Sequence, residues 1–137
     1  MNALKHGHTN FVMASPFISR IEQDFDGENC RHFSAPGYMD LVVEYVGTHY
    51  ILGLPLFSFG HYGRQNGDVM CDPEMWLAVD FKNERIYPAS FQNDYVGLYQ
   101  EVYEIIDGER CAHAKLRRDL DEFLHDWLKN LQAQGHK

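Results

Sequence analysis

Cysteine is scarce and odd in number: Cys30, Cys71 and Cys111 are the only three in 137 residues. Three widely spaced thiols make a poor disulfide framework and suit a reducing compartment. No apolar run approaches the ~20 residues that cross a bilayer. The opening MNALKHGHTNF lacks the apolar stretch of a secretory signal. The expected location is therefore the cytoplasm, with no membrane partner. Cations are in the minority, 12 Lys and Arg against 20 Asp and Glu, for a net charge of −8. That balance speaks against direct nucleic-acid binding, which rests on Lys and Arg neutralising phosphates. It favours solubility, or attraction to a basic partner surface. No Ser sits in a nucleophile elbow, and Gly53, Gly60, Gly63 and Gly67 form no phosphate-binding pattern ahead of a helix.

Apolar residues, by contrast, make up 45% of the chain and aromatics 14%, enough for a core and too much for disorder. The length is that of one domain, expected over 1–137 with 1–14 as a flexible N-terminal segment. Ser15-Pro16 reads as an N-cap followed by proline at the first helical position. Phe17, Ile18, Ile21 and Phe25 then predict a short amphipathic helix, ended by the polar run 24–29.

Alternation takes over at Met39, Leu41, Val43 and Tyr45, the signature of a half-buried strand. Leu56 to Tyr62 and Met75 to Phe81 read as further strands, as does Ile86-Tyr87-Pro88. Their connections are too short for parallel crossovers, so the pairing is antiparallel. Residues 95–106 fit a helix by apolar spacing; Gly97, the Val/Ile/Tyr content and Asp107-Gly108 favour a strand. The tail is a clear helix. Leu116, Leu120, Phe123, Leu124, Trp127, Leu128 and Leu131 form one apolar stripe, and Gly135 is its natural stop. His136 and Lys137 suit the negative end of that helix's dipole. The fold class is α+β: an antiparallel sheet of four to six strands, a long C-terminal helix on one face, and a short N-terminal helix.

The densest polar stretch is HYGRQNGDVMCDPEM, His61 to Met75, which reads as a strand-loop-strand carrying turn residues and acids. His61 is a candidate base or ligand, and Asp68, Asp72 and Glu74 candidate cation ligands. The plain alternative is turn chemistry at Asn66-Gly67-Asp68 and Asp72-Pro73. Two further pairs, Cys30/His32 and Cys111/His113, would make a Cys2His2 zinc site if they met. The aromatics Tyr38, Tyr45, Tyr50, Phe57, Phe59, Tyr62, Trp76, Tyr87, Tyr95, Tyr99 and Tyr103 include several on strands of opposite phase. Core packing is expected for most. Unless a second layer covers them, some sit on the face away from the core, and exposed tyrosines on a sheet are a common recognition surface.

His61, Tyr62, Gln65, Asn66, Gly67, Asp68, Asp72, Pro73, Glu74 and Met75 carry a resemblance: HYxxQNGDxxxDPEM is similar to the signature of an uncharacterised domain family. That family is found on plasmids, conjugative elements and phages. Phe91-Gln92-Asn93-Asp94, the Tyr99–Tyr103 segment and the closing helix resemble it too, so the likeness spans roughly 38–137. It implies life on mobile DNA and no established activity or cofactor. The leading expectation is a binding module acting on a host or element protein, interference with host defence being one form. Its binding residues would be His61, Tyr62, Gln65, Asn66, Asp68, Asp72 and Glu74, with no cofactor or metal. The sequence leans away from an enzyme, the alternative being a small enzyme or ligand-sequestering protein built on His61, Asp68, Asp72 and Glu74. A zinc-dependent structural domain is a third reading, and a homodimer is compatible with all three.

Overall fold

The computed structural model describes residues 4–23 and 29–137. Its centre is a six-stranded antiparallel meander, with strands in chain order from one edge to the other. These are β1 (Cys30–Phe33), β2 (Leu41–Thr48), β3 (Pro55–Gln65), β4 (Asp68–Asp80), β5 (Arg85–Asn93) and β6 (Leu98–Glu101). A second hairpin follows, β7 (Tyr103–Ile106) and β8 (Glu109–Ala112). Helices α1 (Gly7–Gln23) and α2 (Ala114–Gln134) complete the α+β fold.

Register assigns the faces, because residues directly opposed across antiparallel strands share one. Arg31, Val43, Phe59, Met75, Phe91 and Gln100 form one continuous row across all six strands. Val43, Phe59 and Met75 within it are fully buried. Both helices cover this face. From α1, the Phe17 ring packs edge-on against Phe33 and Phe59. From α2, Phe123 meets Phe91 edge-on and Trp127 leans on His61. The α2 stripe buries Leu120, Leu124, Trp127, Leu128 and Leu131, while Leu116 and Phe123 sit at its rim. Gly135 stops the helix in the left-handed region at φ 81, its N–H reaching the carbonyls of Leu131 and Gln132, as an αL stop should.

Two expectations are corrected. First, α1 begins at Gly7, well ahead of Ser15, and Pro16 lies inside it. Residues 7–14, expected to be a flexible segment, are helical, and Asn10, Met13 and Ala14 are buried. The stripe runs through a polar residue, which period counting reads as surface: Asn10 Nδ2 donates to the backbone oxygen of Asp121 on α2. Ser15 does not cap; its Oγ donates to Phe11 O. Phe25 and the expected terminator 24–28 lie outside the described residues. Second, the loop of the strand-loop-strand over 61–75 is only two residues long. Strands β3 and β4 pair out to Gln65 and Asp68, and only Asn66 and Gly67 turn, both at positive φ. That is the two-residue geometry that Asn-Gly favours, because its twist matches the flanking strands. His136, just beyond the Gly135 stop, is buried, and its Nε2 donates to the Met39 carbonyl.

The ambiguous stretch 95–106 divides into a single 3-10 turn (Asp94–Val96) and strands β6 and β7. Gly97 and Asp107-Gly108, all at positive φ, break the helical spacing where it would have had to continue.

Candidate functional site

Among the described residues, no helix packs on the sheet's second face. Its first row is Cys30, Glu44, Ser58, Trp76, Ser90 and Glu101; two residues along lies His32, Val42, Gly60, Glu74, Gln92 and Tyr99. A strand's side chains alternate, so Glu44 stands beside the core residue Val43, Ser58 beside Phe57, and Trp76 and Glu74 on either side of Met75. The face thus presents three carboxylates, Glu44, Glu74 and Glu101, among aromatic rings. Trp76 is 38% exposed and Tyr99 60%.

Glu74 organises the centre. Its Oε1 accepts from the Trp76 indole at 2.6 Å and its Oε2 from the Cys71 thiol at 2.9 Å. Burial, and then the hydrogen bond to Glu74, push the Cys71 thiol well above its ordinary range, which disfavours the thiolate. Burial and then the Glu74 charge likewise raise the Tyr62 phenol. The Tyr99 hydroxyl donates to Glu101 Oε1 at 2.8 Å. Burial and this bond lift its pKa to about 12. Below the hairpin tip, Asp94 accepts from Cys71 N and from Gln92 Nε2. Those two bonds, the backbone one foremost, hold its carboxyl below the usual range. Asn93 Nδ2 donates to Asp72 Oδ1, so the 3-10 turn is tied to β4.

Tyr62 lies flat over Gly60, where a Cβ would stand 2.6 Å from its hydroxyl and 2.7 Å from its ring. Glycine is required here by the ring. Gly60→Ala should cost about 1–3 kcal/mol as an overpacked site, read from the urea midpoint. Tyr62→Leu in the same chain should recover most of that loss, and no recovery would remove the ring as the cause.

The residues singled out from sequence divide between the two faces. Tyr62 and Glu74 belong to the open face, whereas His61 faces α2. His61 Nδ1 must carry the proton, because its partner 2.9 Å away is the Asp40 carbonyl; Nε2 accepts from the Trp127 indole at 3.0 Å. Both ring nitrogens are engaged, and burial foremost lowers the pKa, with His136 adding to it. A neutral, doubly bonded imidazole pins α2 to the sheet and has no lone pair left for a substrate. Gln65, Asn66 and Asp68 are exposed at the hairpin tip. Asp72 acts on His61 through its charge, and Glu74 is held on the opposite side.

The two Cys/His pairs stay apart. Cys30 and His32 stand on the edge strand β1, with His32 beside Asp40. Cys111 is on β8, and His113, at the start of α2, is paired with Glu104. Among the described residues no group of three or more His, Cys, Asp or Glu is arranged to hold a metal ion. Sequence reasoning missed Glu101 and His49 as members of the open face's surroundings. The signal was faint: Glu101 is the alternating neighbour of a buried Val102, and only register sets it beside Ser90.

No curated protein and no solved structure matches the chain. Residues 17–137 match a protein-family profile, covering the last part of α1, every strand and all of α2. The chain belongs to the family described as Domain of unknown function (DUF6908).

Proposed function

We propose that this protein is a non-catalytic binding module of a mobile genetic element, which engages a basic segment of a host or element protein on the open face of its sheet. One observation carries the reading: a six-stranded sheet with helices on one face only, whose other face sets Trp76 and Tyr99 among Glu44, Glu74 and Glu101. Aromatic rings supply contact area at low entropic cost, and carboxylates in the same rows select a cationic partner. The net charge of −8 would steer such a partner towards the protein. The mobile-element setting, and interference with host defence as its use, rest on the resemblance of the His61–Met75 signature.

A photo-crosslinking residue at Tyr99 should yield adducts with one recurrent basic protein in host cells. The same residue at Arg118, on α2, should yield none. Trp76→Ala should abolish the Tyr99 adduct, with a cooperative urea transition showing that the variant is folded. Equal labelling at both positions, or none at Tyr99, would overturn the assignment of the face.

A further inference from the structure

At one end of the open face the turn after β2 and the start of β7 fold over the sheet and close a cavity of about 190 Å³. Trp76, Ser90, His49, Tyr50, Tyr103 and Glu101 are among its lining residues. We propose that this cavity takes the guanidinium group of one arginine side chain, presented by the basic segment that lies on the open face. The proposal deepens the sheet-face reading and rests on it.

The cavity's chemistry selects the ligand. Among the described residues its only carboxylate is Glu101 and no Lys or Arg lines it, so a cation is the complementary charge. Glu101 spends Oε1 on the Tyr99 hydroxyl, and Oε2 has no hydrogen bond among the described residues. His49 cannot compete as a cation. Its Nδ1 accepts from the backbone N–H groups of Ile51 and Leu52 at 3.2 and 3.1 Å, which requires the neutral ring.

Aromatic rings dominate the lining. His49 stacks on Tyr50 and meets Tyr103 edge-on, and Trp76 joins them with its indole N–H held by Glu74. A planar cation stacks on such rings, and guanidinium is the protein cation that is both planar and weakly hydrated. It also carries several donors in a fixed fork. Glu101 Oε2 and the hydroxyls of Thr48 and Ser90, which also line the cavity, are acceptors for them. A quaternary ammonium has no donor for these oxygens, and an ammonium is compact and strongly hydrated. The rows containing Glu44 and Glu74 lead away from the cavity across the sheet, which gives an extended chain further carboxylates to follow.

The two indole N–H resonances make the test internal. Titration of the full chain with N-acetyl-argininamide should shift the Trp76 indole saturably and leave the Trp127 indole unmoved, since the latter is bonded to His61. Glu101→Gln should weaken binding on the order of tenfold, and Tyr50→Ala should weaken it too. Tyr50 is 68% exposed, so that variant should keep the wild-type melting temperature. The citrulline analogue, neutral and of the same shape, should not bind. Equal binding of citrulline or of N-acetyl-lysinamide, or undiminished affinity in Glu101→Gln, would overturn the assignment. A peptide of alternating lysine and glycine separates the two readings. If it shifts Tyr99 while argininamide leaves Trp76 unmoved, the cavity assignment falls and the sheet-face reading stands. If neither probe moves any resonance of the open face, both fall.

Discussion

Phe59→Ala should lower the stability of the fold by about 3–5 kcal/mol, the range for truncating a fully buried phenylalanine. Phe59 is completely buried and joins three elements. Its strand neighbours are Val43 on β2 and Met75 on β4. The ring of Phe17 on α1 meets it edge-on, with centroids 6.1 Å apart. Alanine leaves a void beneath α1 that the sheet cannot fill, because β2, β3 and β4 are locked in register on both sides. Native domains are stable by only about 5–15 kcal/mol, so the variant should lose a large part of its margin. Urea unfolding measures this directly. Val12→Ala on the same helix is the control, since Val12 is 54% exposed and should stay within about 0.5 kcal/mol. A loss below about 1 kcal/mol for Phe59→Ala would show that α1 and the sheet do not share one cooperative core.

Acidification should produce the second large effect. His49 and His61 are both held below the ordinary histidine value, burial being the main cause in each. A group whose folded pKa lies below its unfolded value binds a proton first in the unfolded chain. The stability it protects is therefore fully present above the unfolded value near 6.5 and is lost as the pH falls from there towards the folded value. Each such histidine can steepen the loss by at most about 1.4 kcal/mol per pH unit. The chemical reason is visible at both sites. Protonating His49 Nδ1 would set it against the N–H groups of Ile51 and Leu52. Protonating His61 Nε2 would set it against the Trp127 indole N–H. The urea midpoint should therefore fall clearly between pH 7.5 and 5. His61→Gln can keep a donor for Asp40 O and an acceptor for Trp127, so it should flatten the profile. A midpoint constant across that interval would sink the account of the two imidazoles as obligately neutral.

His61 shows how far a sequence signature reaches. Its place beside Tyr62 in a polar, acid-rich stretch makes it look like a base. Only the packing of α2 reveals that both of its nitrogens are already engaged. The same holds for Asn10, whose polarity hides the first two turns of α1 from any count of apolar spacing. It becomes an interior residue because Asp121 on α2 offers it an acceptor. In both cases the deciding partner is more than sixty residues away in the chain.

Local patterns were enough for the elements whose cause is local. The α2 stripe, its glycine stop, the Asn66-Gly67 hairpin and the strand alternation at Leu41–Tyr45 follow from period and turn chemistry, which act over a few residues. The α+β class and the antiparallel order follow from these, since short connections leave no other pairing. Which face the helices take is a different matter. Every strand of this sheet offers two sets of side chains, and apolar residues occur in both phases. The choice falls to long-range packing of Phe17, Phe123 and Trp127 on one set. That packing leaves Glu44, Trp76, Glu101 and Tyr99, far apart in the chain, side by side under open solvent. Their company is a product of register, and register is set by contacts between strands, not within them.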